Sequence, residues 1–85
     1  MMGRMHDRRR IVREIRRNAA LLFRCEPAAV TISFERDDET HAWRAIAGGP
    51  SGERLGAEGK NANESLVALL DLVIDRANSE PSKDT

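Results

Sequence analysis

At 85 residues the chain has room for one domain. A chain of that size buries only about 60–65% of its unfolded surface, so its core must be one layer of helices against a small sheet. Composition is that of a globular protein, 40% hydrophobic and 33% charged, with no apolar run of about eighteen residues to span a bilayer. The apolar stretch after the first arginines is interrupted by Arg13, Glu14, Arg16 and Arg17, unlike a secretory signal. The single cysteine, Cys25, excludes an internal disulfide and fits a reducing compartment, so a cytoplasmic location is expected.

The formal charge is zero overall but unevenly placed. Residues 1–24 carry eight arginines against Asp7 and Glu14, whereas residues 25–85 carry six basic groups against twelve acids. The two parts are therefore +6 and −6, an asymmetry that points to electrostatic partners, within the molecule or outside it.

In chain order, Asp7 to Arg24 reads as a helix with Asp7 as its N-cap. At 100° per residue Ile11, Val12, Ile15, Ala19, Leu22 and Phe23 make one stripe. Arg9, Arg10, Arg13, Arg16, Arg17 and Arg24 fall in a sector on the opposite side. Pro27 ends the segment. Val30 to Arg36 alternates as a strand, with Val30, Ile32 and Phe34 on one face. Asp37, Asp38 and Glu39 form a polar turn, and His41 to Ala47 returns as a second strand with Trp43, Ala45 and Ala47 toward the helices. Gly48 to Gly52 is a loop. Arg54 to Glu58 is a short third strand loosened by Gly56 and Gly59.

A second helix begins near Asn61, where Asn61 and Glu64 form a capping box. Its expected core stripe is Ala62, Leu66, Leu69, Leu70, Val73, Ile74 and Ala77. Glu64, Asp71 and Asp75 line its outer side, and Leu72 is expected to be partly exposed among them. The fold class is α+β, in the order α-β-β-β-α, with a three-stranded antiparallel sheet and two helices packed on one face. Residues 7–78 form the domain, between a flexible segment 1–6 and a disordered tail 79–85.

Chemistry-bearing constellations are scarce. His6 and His41 lie far apart and Cys25 has no partner at metal-ligand spacing, so neither a metal site nor a cofactor is expected. No nucleophile elbow, Walker loop or zinc-protease motif occurs. The glycines at 48–52 are not followed directly by a helix, as a phosphate cradle requires. No catalytic residue is assigned and the expectation is a protein that is not an enzyme. Cys25 reads as a small buried hydrophobe and His41 as a surface residue.

Two resemblances bear on class. The α-β-β-β-α order, with Trp43 to Leu70 and a G-x-x-G before the last helix, resembles the double-stranded RNA-binding domain. That family holds phosphate with a lysine-rich start to its last helix; here the matching stretch is Asn61-Ala62-Asn63-Glu64-Ser65, with Lys60 alone beside it. The stretch Gly56 to Leu66 is similar to the strand-into-helix ending of HicB-type antitoxins, shared by many small phage and prophage proteins. Compact α/β domains of this kind also occur among anti-CRISPR proteins.

The resulting expectation is a non-enzymatic phage or mobile-element inhibitor, anti-CRISPR-like, docking on a CRISPR effector or another nucleoprotein complex. Arg9, Arg10, Arg13, Arg16 and Arg17 are the candidate binding residues, suited to carboxylate or phosphate by their bidentate geometry. The alternative interface is Glu64, Asp71, Leu72 and Asp75. The alternative function is direct nucleic-acid binding through the arginine helix, whose guanidinium groups would contact successive phosphates. Neither reading involves a membrane, and the expected state is a monomer or weak homodimer.

Overall fold

The structure, a computed structural model, describes the backbone of residues 3–79 and the side chains of residues 8–79. Helix α1 spans Gly3–Phe23, followed by a single 3-10 turn at Pro27–Ala29. Strands β1 (Thr31–Arg36), β2 (Trp43–Gly48) and β3 (Arg54–Gly59) form an antiparallel sheet in sequence order, and α2 covers Ala62–Ser79. The chain is thus α-β-β-β-α, an α+β fold with both helices on one face of a three-stranded sheet. Of the segments expected to lack order, residues 1–2 and 80–85 lie outside the described residues; residues 3–6 are helical backbone and Ser79 closes α2. Among the described residues no helix is long and apolar enough to cross a membrane.

The sheet faces the helices through its smallest side chains. In the register, Ala45 lies between Phe34 and Ala57, and Ala47 between Ile32 and Leu55. Ala45 and Ala47 are fully buried, with Ile15 and Ala19 of α1 and Leu66, Leu69 and Val73 of α2, and Phe23 of α1 is buried beside them. A floor of methyl groups lets both helix axes come close, which is how so short a chain closes its core. Gly59 makes the tightest approach: a Cβ there would stand 2.4 Å from the Ser65 amide nitrogen. Without a side chain at 59, α2 can start directly above the end of β3.

The helix ends are built as their residues dictate. At α2 the Glu64 amide donates to Asn61 Oδ1 at 2.9 Å, and the Lys60 amide donates to Glu64 Oε1 at 3.1 Å. This is a capping box closed one residue early, satisfying two amides outside the helical ladder. At α1, Arg24 takes the left-handed conformation with φ 58°, and the Cys25 amide donates back to the Ala20 carbonyl at 3.0 Å. That is a Schellman closure with arginine where glycine is the usual occupant. Asp7 is not an N-cap, because α1 begins at Gly3 and Asp7 lies a turn inside it.

Three details of burial differ from the sequence reading. Ile74 is 37% exposed rather than part of the core, while Leu72, partly exposed as expected, packs its inner side against the core cluster. The reason is Ser65, which is fully buried, its hydroxyl donating to the Ala62 carbonyl at 2.8 Å. Adding Ser65 to the buried stripe turns its centre toward Leu72 and away from Ile74. Ala20 is buried as well, on the side of α1 where the chain doubles back. Ile46, which alternates toward the open face of the sheet, is only 5% exposed. It sits between Ser33 and Gly56, and the Arg54–Glu35 ion pair at 3.7 Å crosses that face diagonally above it. Arg44 and Glu58, 2.8 Å apart, close the same face beside it.

Two substitutions test these closures. Gly59→Ala forces the start of α2 away from β3 and should destabilise the fold by about 2 kcal/mol or more. Arg24→Gly removes the left-handed strain and should stabilise it by about 1 kcal/mol. Both are read from urea unfolding midpoints at unchanged slope.

Candidate binding surface

Helix α1 carries arginine over more than half its circumference. Folding requires only that its apolar stripe reach the core, and Ile15, Ala19 and Phe23 do so. Among the described side chains most of these arginines are in no ion pair. Arg13 is their centre, having Arg9, Arg10, Arg16 and Arg17 at three or four residues' distance on either side. Those are the spacings at which helical side chains meet, so like charges there oppose helix formation. Among the described side chains the sole ion pair on α1 joins Arg17 to Glu14, at 3.6 Å and exposed, an arrangement of little energetic consequence.

Four of the five expected arginines are gathered in one place. Arg9, Arg13, Arg16 and Arg17, with Val12, line a groove whose far wall is Pro27 and Ala28 of the 3-10 turn. The Schellman closure creates this groove by sending the chain back along α1 rather than away from it. Its volume is about 330 Å³ and it is open to solvent, a surface trough rather than an enclosed small-molecule pocket. Arg10 is not part of it and lies on another flank of the helix. Pro27 and Ala28 were not anticipated as site residues. Pro27 does signal the end of a helix, but the direction the chain takes afterwards depends on the left-handed Arg24.

The groove differs in charge from other hollows of the surface. One, near the β1–β2 hairpin, sets Glu35, Asp37 and Glu58 against Arg36 and Arg44. There Glu58 accepts a hydrogen bond from Arg44 and holds its guanidinium still more firmly charged than usual. Another joins His41 and Lys60 to Glu58 and Glu64. His41 is an exposed turn residue with φ 61° that accepts a hydrogen bond from Arg36 through Nδ1 at 3.1 Å. Each of these hollows mixes both signs of charge. The α1 groove has no carboxylate in its lining.

The acidic alternative is less well assembled. Glu64, Asp71 and Asp75 are exposed on α2, but Glu64 is engaged in the helix cap and Leu72 is partly covered by its contact with the core cluster. Cys25 is partly buried against the core cluster. Among the described residues no group of three His, Cys, Asp or Glu side chains is placed to hold a metal ion. No family model, curated protein or solved structure matches this chain.

If the arginine rows are kept for binding and oppose folding, relieving them should stabilise the protein. Arg13→Gln removes four like-charge neighbours and should raise stability by about 0.5–1 kcal/mol at low salt. Thermal unfolding across a sodium chloride series checks this, the gain shrinking as salt screens the repulsion.

Proposed function

We propose that this protein is a non-enzymatic binding module that docks onto an anionic partner through Arg9, Arg13, Arg16 and Arg17. The observation that carries the proposal is a groove lined by four arginines, with no carboxylate in its lining and with Val12, Pro27 and Ala28 as its apolar part. Guanidinium groups around a small apolar centre suit a protein surface bearing carboxylates, because arginine combines fork-shaped hydrogen bonding with a weakly hydrated, stackable plane. A track for duplex phosphates needs the charge but not the apolar centre. Within this reading the partner is a nucleoprotein complex, and the module acts as a small phage or mobile-element inhibitor of the anti-CRISPR kind. The second reading, direct binding of DNA or RNA, draws on the single sign of charge along the groove.

A titration with duplex DNA and RNA at low and moderate salt separates the two. Micromolar affinity with a steep salt slope, lost in the Arg13→Glu, Arg16→Glu double variant, would establish the second reading and remove the first. Weak or absent binding to free nucleic acid is expected. Cross-linking in a host lysate should then capture a partner with the wild-type protein and not with the double variant.

A further inference from the structure

The outer surface of the helical layer carries a second, self-complementary pattern. The two helices run parallel. The Arg8 guanidinium lies 6.0 Å above the Phe34 ring, so α1 starts over the end of β1. It finishes with Phe23 beside Gly49, past the end of β2. Helix α2 starts at the end of β3 and runs back over β3 and β2. Because β1 and β3 point the same way, so do the helices above them.

This fixes which residues rim the seam. The 3-10 turn occupies the Val12–Arg16 flank of α1, which leaves the Ile11, Asn18 and Leu22 flank for α2. Two right-handed helices running the same way over one sheet present opposite flanks to each other. The matching flank of α2 is therefore Leu70 and Ala77. Above the seam, on α1, come Arg10, Glu14, Arg17 and Leu21, spaced four, three and four residues apart. On α2 come Glu64, Val67, Asp71 and Ile74, spaced three, four and three apart, with Asp75 beside them. Leu21 is 72% exposed, Val67 44% and Ile74 37%. The surface is thus an apolar strip with a net basic row along one side and an acidic row along the other.

We infer that this surface binds a second copy of the same chain, face to face, about a twofold axis parallel to the seam. Such an axis turns each α1 onto the partner's α2 while keeping all four helices parallel. Arg17 then meets Asp71 and Asp75, and Arg10 faces the Glu64 end of the acidic row, twice over, while the apolar strips meet across the axis. An isologous contact requires a surface to be complementary to its own rotated image. Opposite signs on opposite sides of an apolar strip satisfy that requirement, and also set the register. The apolar centre is small, which suits a dimer that dissociates at roughly 10–100 µM. The α1–turn groove lies on the other flank of α1 and shares only Arg17 with this face, so the rest of its lining stays open in the dimer.

Sedimentation velocity on the full chain, at concentrations spanning that range and at low and high salt, tests the inference. The expected result is a doubling of mass at low salt that weakens at least about tenfold in high salt. Leu21→Glu and Ile74→Glu should each abolish the dimer while leaving the circular dichroism spectrum and unfolding midpoint near wild type. The deciding arm mixes two charge-reversed chains. Arg10→Glu with Arg17→Glu makes both rows acidic, and Asp71→Arg with Asp75→Arg makes both basic. Each should be monomeric alone and the equimolar mixture dimeric. A strictly monomeric wild type at low salt would overturn the inference. So would a dimer that survives Leu21→Glu, or reversed chains that fail to restore association when mixed.

Discussion

The structure depends on the docking of an arginine-rich helix that would not hold together by itself. Four like-charge pairs converge on Arg13, each opposing the helix by about 0.2–0.5 kcal/mol, or roughly 1–2 kcal/mol together. Against this stand Ile15, Ala19 and Phe23, all buried in the shared core. Burial of an isoleucine and a phenylalanine contributes about 1.5–3 kcal/mol each, so packing exceeds repulsion roughly threefold. The alanine floor of β2 matters for the same reason. It lets α1 and α2 share one core above the sheet, and so gives a short, highly charged chain a closed interior.

Most of the fold was legible because its elements keep strict periods. The alternation in Val30 to Arg36 and the apolar stripes of both helices identify three of the five elements, and the acidic turn and the Gly48–Gly52 loop mark off the other two strands. What was not legible depends on single residues that break the binary pattern. Ser65 is polar by type, yet a local bond to the Ala62 carbonyl lets it be buried without loss, and the stripe of α2 turns with it. Ile46 is apolar on the solvent side of the sheet, but long ionic side chains from both neighbouring strands lie over it. Both cases show hydrogen bonding or side-chain reach overriding residue class.

The arginine cluster was legible as a list of residues but not as a place. Helical spacing puts Arg9, Arg13, Arg16 and Arg17 on one side of α1 whatever follows them. The groove exists only because Arg24 adopts a left-handed conformation and sends Pro27 and Ala28 back alongside. A residue with no role in the groove thereby determines its far wall. Similarly, the rim of the α1–α2 seam follows from strand direction, which no local pattern reveals. The two flanks of α1 consequently differ in character: one is basic with a small apolar part, the other apolar with charge at its margins.

The parallel pairing of α1 and α2 also bears on how the chain reaches this structure. The sheet is a meander whose strands pair with their sequence neighbours, so its hairpins can close locally and early. The helix pair joins the first and last elements, the most distant contact the topology contains. During synthesis α1 emerges first, yet the surface it needs is completed only when Leu66, Leu69 and Val73 have followed. Until then its repelling charges have nothing to oppose them. Native structure is therefore secured in one late step, and loss of either helix removes the support of the other, making the whole domain a single cooperative unit.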